Sequence, residues 1–334
     1  MNEVSVQTVP RARPALRVVS TRQLDRQQWL EVRRGGIGSS DAAAAVGLNP
    51  YKSMLELWLE KTGAAPATPD RCDEEKFGPT YWGTLLEPIV AAHYTRQTGR
   101  RVRRLNAVLA HPEHSWMLAN IDREIVGEPD VQILECKTAG LNGARLWRDG
   151  VPEYVQLQVL HQLAVTGKAA ADVAVLVCGQ ELRVYRIQRD ELMIAQLIEL
   201  EHDFWRMVTT TTPPPADGSE SAAHALQRLY PQDSGESLMF AADPYMEQIF
   251  QDLLQARVQL EAVESRANGL KHSIQQAMGD ATKAVFSAGS VTWKRTRESS
   301  RFDAEQFSRE HPGLFEQYSK SKSGSRRFVI NEQP

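Results

Sequence analysis

The order of apolar and polar positions divides the first 208 residues into helices and strands. Apolar residues recurring at intervals of three and four predict helices over residues 26–33, 42–46, 53–63, 79–98, 153–165 and 190–208. Short runs of apolar and β-branched residues predict strands over residues 102–110, 121–126, 131–136, 173–177 and 182–187. The last two strands should form a hairpin that turns at Gly179-Gln180. This order of elements predicts a mixed α/β core.

Polar residues and prolines at the helix ends support these boundaries. Ser39-Ser40-Asp41 are suited to cap the alanine-rich helix that follows them, as are Ser53 and Asp190 for their helices. Pro88 lies inside the 79–98 pattern, so it should kink that helix or mark a fresh first turn.

Three further segments differ from this core in composition. Residues 1–25 contain prolines without a helical period and are expected to form a flexible amino-terminal arm. Residues 64–76 are expected to form a polar loop. Residues 209–221, TTTTPPPADGSES, have the composition of a linker. The predicted organisation is therefore an arm, a main domain over 26–208, a linker and a carboxy-terminal region over 222–334.

The carboxy-terminal region carries a long heptad stripe. Apolar residues alternate spacings of three and four from Met246 to Ala277, a coiled-coil-like pattern. One unbroken helix would be roughly 50 Å long at about 1.5 Å per residue. Asn268-Gly269 could instead fold the segment into an antiparallel hairpin. After Phe286, alternating apolar and basic residues suggest a small α/β tail.

Composition excludes several classes of protein. Cys72, Cys136 and Cys178 are few and widely spaced, which fits a reducing cytoplasm and excludes a zinc ribbon or a cysteine-held iron–sulfur cluster. No apolar run reaches about eighteen residues, so no membrane span is expected. The net charge of −3 argues against general binding of polyanions.

The basic residues are nevertheless clustered. One group contains Arg96, Arg100, Arg101, Arg103 and Arg104, and a second contains Lys294, Arg295, Arg297 and Arg301. Such patches either bind phosphates or form solvated faces. Arg100, Arg101, Arg103 and Arg104 are our candidates for contact with a nucleic-acid backbone.

An isolated acid and an acid–x–lysine triplet carry the candidate chemistry. Asp122 precedes the triplet Glu135-Cys136-Lys137, which ends a predicted strand. Alternate side chains of a strand share a face, so Glu135 and Lys137 should point the same way while Cys136 points into the core. Two carboxylates can hold Mg²⁺ or Mn²⁺, and Lys137 can hold the attacking water and stabilise phosphoryl charge. The pattern predicts phosphodiester hydrolysis, although the triplet alone also fits a surface Glu–Lys pair.

Other polar residues near these strands have weaker signals. Glu87, on the 79–98 helix, is a candidate fourth group at the metal, directly or through water. Gln158 and Gln162 share a helix face, which would either orient the water or form a plain polar surface. His111 and His114 lack a third nitrogen or sulfur ligand, so no zinc site is expected.

Seven blocks of sequence together carry a family resemblance. They are 29–41 (WLEVRRGGIGSSD), 47–52 (GLNPYK), 57–63 (LWLEKTG), 83–88 (GTLLEP), 117–122 (MLANID), 134–138 (LECKT) and 158–167 (QVLHQLAVTG). In this order they resemble the YqaJ-type viral recombinases, relatives of phage lambda exonuclease with the PD-(D/E)XK nuclease fold. The resemblance spans about residues 26–208 and implies that this segment is a nuclease domain.

The resemblance also implies roles for individual residues. Glu87, Asp122, Glu135 and Lys137 match the family's catalytic acids and lysine, and Gln158 matches its active-site glutamine.

Further positions match the family less directly. The Cys136 carbonyl would be an additional metal ligand, and Arg33 and Ser40 match positions that hold the 5′-terminal phosphate. Asn120 stands near a position where the exonuclease carries serine. Leu160 stands where many members have a second glutamine, a departure that affects an auxiliary contact rather than the metal site.

The expected function is a Mg²⁺- or Mn²⁺-dependent exonuclease that digests double-stranded DNA ends 5′→3′ and leaves 3′ single strands. By resemblance, it would form a ring-shaped homo-oligomer and work beside a single-strand annealing protein, in the cytoplasm of a bacterium carrying a phage or prophage. One alternative is an endonuclease of repair or restriction. Another is a non-catalytic scaffold that binds DNA ends and recruits a partner through the heptad helix.

Overall fold

The computed structural model describes residues 15–22, 24–64, 78–320 and 324–331. The expectations for residues 1–14 and for most of the 64–76 loop lie outside this range. The chain forms two compact units, Met1–Pro231 and Gln232–Pro334. Among the helices described, none combines the length and the apolar character that crossing a bilayer requires.

The first unit alternates strands and helices. Its described strands are β1 (Leu16–Ser20), β2 (Ile37–Gly38), β3 (Arg101–Arg103), β4 (Ala107–Ala110), β5 (Met117–Ala119), β6 (Arg123–Val126), β7 (Ile133–Ala139), β8 (Ala170–Val177) and β9 (Glu181–Gln188). Its described helices are α1 (Arg26–Arg34), α2 (Ala42–Ala45), α3 (Met54–Thr62), α4 (Pro79–Thr98), α5 (Glu153–Thr166), α6 (Glu191–Thr209) and α7 (Glu220–Leu229).

A five-stranded sheet forms the centre of this unit, in the order β3-β6-β7-β8-β9. β7 and β8 are parallel, and the other neighbours are antiparallel. The sequence of β8, AADVAVLV, is almost entirely buried, as expected for a central strand covered on both faces. The predicted mixed α/β architecture, with helices flanking a mixed sheet, is confirmed.

The two faces of β7 contact different helices. Leu134 packs in the apolar cluster of α4, whereas Ile133 packs in the cluster that contains α5. Since side chains alternate along a strand, Glu135 and Lys137 lie on the α5 side together with Ile133. The sheet therefore directs the acid and the lysine of the triplet toward α5.

A second sheet corrects two expectations about strands. Leu16–Ser20, expected to belong to a flexible arm, pairs antiparallel with Ala107–Ala110 in a sheet ordered β1-β4-β5-β2. The single strand expected over 102–110 is two strands, and Arg101–Arg103 pairs with β6 in the central sheet. Met117–Ala119 was not predicted, because three residues are too few for a recognisable alternation.

The predicted caps have different outcomes. The side chains of Ser53 and Asp190 accept backbone hydrogen bonds at the starts of α3 and α6, which confirms both predictions. Ser39–Asp41 instead forms a 3₁₀ turn, and no side chain there caps α2, so that prediction was wrong. The Asp41 carboxylate accepts hydrogen bonds from distant cationic side chains rather than from the helix backbone. Helix α4 also runs through Pro88 without a fresh first turn.

Helix α7 belongs to the first unit, although its residues fall at the predicted linker and beyond it. Its buried residue Ala225 packs in the apolar cluster that contains α3, and Ser221 Oγ accepts a hydrogen bond of 2.8 Å from the Ser53 amide. The division of the chain at 209–221 remains a prediction.

The second unit contains α8 (Pro244–Met278), the hairpin β10–β11 (Lys283–Phe286 and Gly289–Thr292), α9 (Ala304–Glu310) and α10 (Pro312–Tyr318). Helix α8 is continuous over 35 residues, about 52 Å at about 1.5 Å per residue. The heptad segment is therefore one helix, and the alternative hairpin at Asn268-Gly269 is not formed.

Candidate active site

One open cleft of the first unit, about 570 Å³ in volume, collects most of the predicted site residues. Its lining includes Arg33, Ser40, Glu87, Asn120, Asp122, Glu135, Cys136, Lys137 and Gln158. Sequence reasoning did not single out several other lining residues: Trp29, Thr80, Thr84, Thr138 and Tyr154. Trp29, Thr84 and Thr138 stand within the blocks that carry the resemblance, but no local signal marked them as site residues. The folded chain brings them together with Thr80 and Tyr154.

Glu135 and Lys137 form the ion pair that their spacing on β7 predicts. Lys137 Nζ lies 2.7 Å from Glu135 Oε1. The Glu135 side chain is nearly inaccessible, whereas a quarter of the Lys137 side chain is exposed. Burial opposes the charge on Lys137, but Glu135 outweighs it and raises the Lys137 pKa. The lysine therefore presents a permanent positive charge to the cleft.

Two glutamines of α5 hold this pair. Gln158 donates a hydrogen bond of 2.6 Å to Glu135 Oε1 and accepts one of 2.8 Å from Lys137 Nζ. Gln162 lies one helical turn later and donates a hydrogen bond of 2.8 Å to Glu135 Oε2. The i, i+4 spacing on one helix face is the sequence signal that links Gln162 to Gln158.

Asp122 lies just before β6, beside the backbone of Cys136. Its Oδ2 accepts a hydrogen bond of 2.8 Å from the Cys136 amide. The ladder between β6 and β7 ends at the pair Arg123–Leu134, so β6 supplies no backbone partner at Cys136. Because the N–H and C=O of one strand residue point toward the same neighbour, the Cys136 carbonyl points toward Asp122.

The pKa of Asp122 shows that its negative charge lacks a compensating cation. Burial, followed by the nearby charge of Glu135, raises the pKa of Asp122 to about 8. A divalent cation held by Asp122 and Glu135 would remove both causes of the raised pKa, since its charge would offset the desolvation and the repulsion. Two carboxylates and a carbonyl are hard oxygen ligands, the kind that Mg²⁺ and Mn²⁺ prefer.

Glu87 reaches the same cleft but is paired with arginines. Its Oε1 accepts a short hydrogen bond from Arg123, and Arg104 Nη2 lies 3.6 Å away. In the described part of the chain, no three histidine, cysteine or acidic side chains are arranged as a ready metal site. Asp122, Glu135 and the Cys136 carbonyl fit a cation, whereas Glu87 would first have to leave Arg123.

Arg33 and Ser40 are brought together in the same cleft. Arg33 Nη2 donates a hydrogen bond of 2.9 Å to Ser40 Oγ and one of 2.7 Å to Asp41 Oδ1. The guanidinium carbon lies 4.7 Å from the centre of the Trp29 ring. Asn120 also lines the cleft, and its Nδ2 donates a hydrogen bond of 3.4 Å to the Ala107 carbonyl.

The arginine cluster expected to contact DNA is largely paired with acids. Arg100 lies 3.6 Å from Asp130 and from Asp172, and 3.8 Å from Glu128. Arg103 lies 2.7 Å from Glu124, and Arg104 has Glu87 as its neighbour. A phosphate at these three arginines would have to compete with a carboxylate. Arg101 is exposed at the edge of the central sheet.

Similarity to known proteins extends over nearly the whole chain. A family model described as the YqaJ-like viral recombinase domain matches residues 28–169. The protein YqaJ of Bacillus subtilis (strain 168) is 36% identical over 314 residues, which are 93% of this chain and 95% of YqaJ.

Two solved structures are also similar. The alkaline exonuclease LHK-Exo of Laribacter hongkongensis overlaps 56% of this chain and 94% of its own, with 20% identity and a TM-score of 0.45. A phage-related exonuclease of Haemophilus somnus 129PT overlaps 53% of this chain and 94% of its own, with 11% identity and a TM-score of 0.40. The near full-length relationship to YqaJ decides the assignment: this chain belongs to the YqaJ-like viral recombinase family.

Proposed function

We propose that this protein is a metal-dependent deoxyribonuclease that digests double-stranded DNA from its ends. The observation that carries the proposal is the hydrogen-bonded set of Glu135, Lys137 and Gln158 beside Asp122 in an open cleft. Burying the carboxylates of Glu135 and Asp122 is costly, so their presence in a cleft favours a chemical role.

Each residue of the set has a task in phosphodiester hydrolysis. Asp122, Glu135 and the Cys136 carbonyl would hold Mg²⁺ or Mn²⁺, and Glu87 would join them directly or through water once released from Arg123. A cation bound there would lower the pKa of a water and polarise the phosphoryl group. Lys137, oriented by Gln158, holds the attacking water and stabilises the charge that develops on the phosphoryl oxygens.

A second group of residues in the cleft favours digestion from an end. Arg33 and Ser40 offer a guanidinium and a hydroxyl, which suit the extra charge of a terminal phosphate. A 5′ phosphate bound by Arg33 and Ser40, with Asn120 nearby, would place the adjacent phosphodiester bond at Asp122 and Glu135. The enzyme would proceed 5′→3′ and leave a 3′ single strand, with Arg100, Arg101, Arg103 and Arg104 near the duplex backbone.

The family description as viral recombinases supports a place in phage-type homologous recombination. A 3′ single strand is the substrate of an annealing reaction, so a single-strand annealing protein is the proposed partner. We further propose a ring-shaped homo-oligomer around the duplex, working in the cytoplasm of the bacterial host.

One assay separates this function from its rivals. Purified protein is incubated with linear duplexes labelled at either end, with and without a 5′ phosphate, and with a closed circular duplex, in Mg²⁺ or EDTA. Loss of nucleotides from the 5′ ends of linear DNA in Mg²⁺ alone supports the proposal. Cleavage of the circle would indicate an endonuclease. Binding of ends without cleavage in either buffer would indicate a scaffold.

A further inference from the structure

Arg33 is anchored by a buried ion triad behind the cleft. Asp41 Oδ1 accepts a hydrogen bond of 2.7 Å from Arg33 Nη2, and Asp41 Oδ2 accepts one of 2.7 Å from Lys61 Nζ. Lys61 Nζ also donates a hydrogen bond of 2.8 Å to the backbone carbonyl of Arg33. These contacts join α1, the Ser39–Asp41 turn and α3, which are separated in the sequence.

Only one member of the triad reaches the cleft. The Arg33 side chain is 24% exposed, whereas the Asp41 and Lys61 side chains are 3% and 4% exposed. Lys61 therefore cannot touch a ligand in the cleft. Two positive charges and one negative charge leave the triad with one positive charge in excess, and Arg33 is the member that displays it.

The orientation of Arg33 leaves donors available. Nη2 serves Ser40 and Asp41, while Nε and Nη1 have no hydrogen-bond partner among the described residues. The Trp29 ring lies against the guanidinium and limits its rotation. Gly38 lies beside the group, where an added Cβ would come within 3.7 Å of Nε. A planar fork with free donors suits a phosphate oxygen pair.

We propose that Lys61 is a positioning residue of the terminal-phosphate site: it neutralises Asp41, so that Arg33 keeps its net charge for a phosphomonoester. Without Lys61, the Asp41 carboxylate would pair with Arg33 alone, and the excess charge would vanish. Asp41 holds Arg33 in place, but its negative charge would also neutralise the positive charge of Arg33. Because Lys61 neutralises Asp41, Arg33 is held without losing its charge. This inference rests on the proposed function, because it assigns the ligand of the same cleft.

The ionisation of Asp41 supports this division of charge. Burial opposes its ionisation, but Lys61 and then Arg33 outweigh burial and hold the pKa of Asp41 well below its usual range. Asp41 is therefore charged throughout the range in which a phosphate site operates.

The test compares the full-length protein with Lys61→Met and with the double variant Lys61→Met/Asp41→Asn. The single variant removes the excess charge, whereas the double variant restores it by removing the acid as well. Lys52→Met is the matched control, because it also removes a lysine from an ion pair. Lys52 Nζ lies 2.7 Å from a carboxylate oxygen of Glu60, the residue that precedes Lys61 on α3. Affinity for duplexes ending in 5′ phosphate or 5′ hydroxyl is measured in EDTA, so that cleavage does not contribute.

We expect the wild type and Lys52→Met to prefer the phosphorylated end. In Lys61→Met this preference should fall by about tenfold or more, since removing one partner of a buried charge pair changes affinity on that scale. The double variant should recover most of the preference. Thermal melting of each variant establishes that it is folded.

Three results would overturn the inference. They are an unchanged preference in folded Lys61→Met, a double variant that is folded yet shows no recovery, and a wild type that binds both ends equally. Should Lys61→Met fail to fold, Lys61→Gln takes its place, because glutamine removes the same charge and keeps a donor for Asp41 and for the Arg33 carbonyl. Wild-type cleavage without end preference would refute only this inference. End preference without cleavage in Mg²⁺ would refute only the nuclease.

Discussion

The side-chain amide of Gln162 donates a hydrogen bond of 2.8 Å to Oε2 of Glu135. Gln162 is fully buried, and its Nε2 also lies 3.3 Å from the Asn120 carbonyl. Both partners only accept hydrogen bonds, so the NH₂ group must face them. The amide oxygen is left buried without a partner in the described structure. Glu135 is thus held by a buried glutamine whose amide oxygen lacks a hydrogen-bond partner in the described structure, which is energetically costly.

Replacing Gln162 with leucine should slow digestion without weakening DNA binding. Glu135 would lose one of its two glutamine contacts, and outer contacts of a metal ligand typically contribute about 10–100-fold to activity or metal affinity. Steady-state digestion in Mg²⁺ should show a fall in kcat with KM for DNA retained. Gln156→Leu is the control, because Gln156 is exposed on the same helix and its side chain donates a hydrogen bond to the Val151 carbonyl. An equal fall in kcat for the two substitutions would show that Gln162 has no specific role in the site.

Lys137→Ala should abolish digestion while DNA binding persists. The substitution removes the charge beside the phosphoryl group, a loss on the order of 10²–10³ in rate for one stabilising group. Digestion of a labelled linear duplex and its binding in EDTA are measured side by side. Lys168→Ala is the control, since the Lys168 side chain is partly exposed and makes a long ion pair of 3.9 Å with Glu124. Unchanged digestion by Lys137→Ala would refute the assignment.

Asp122→Asn should stabilise the metal-free protein at alkaline pH. The folded pKa of about 8 lies above the ordinary 3.8, so the folded state retains a proton that the unfolded state has lost. The stability from this group is present below pH 3.8 and is lost as the pH rises through about 8. In EDTA at pH 8 the variant should gain about 1 kcal/mol or more, because one pKa unit corresponds to about 1.4 kcal/mol.

Thermal melts in EDTA between pH 4 and pH 9 measure this effect. The difference between Asp122→Asn and wild type should shrink toward the acidic end. In Mg²⁺ the order should reverse, because only the wild type gains stability from the cation. A variant that is less stable than wild type in EDTA at pH 8 would contradict the strained-acid interpretation.

Gly36→Ala should destabilise the fold, whereas Gly35→Ala should not. A Cβ at Gly36 would lie 2.4 Å from the Trp116 carbonyl oxygen and 2.8 Å from Leu118 Cγ. The backbone would have to move, at a cost of about 1–3 kcal/mol or more. At Gly35 the nearest atom is the Val32 carbonyl oxygen at 3.4 Å, and the backbone is regular. Urea unfolding of both variants tests the difference, and equal midpoints would contradict the packing argument.

The sequence determined the elements whose signals are local. The bounds of α4 follow from an apolar pattern with proline at its start and Gly99 after its end, both read within one segment. The adjacency of Glu135 and Lys137 follows from the two-residue period of a strand. Ser53 and Asp190 cap helices because a cap needs only the next few residues.

Tertiary structure decided every contact between segments that are distant along the chain. Glu87 pairs with Arg123. Asp41 accepts hydrogen bonds from Arg33 and Lys61 instead of capping α2. The segment 102–110 divides between two sheets. The physical reason is that periodicity and capping act over a few residues. The partner of a buried charge or an edge strand depends on which segments pack together, so only the folded chain shows it.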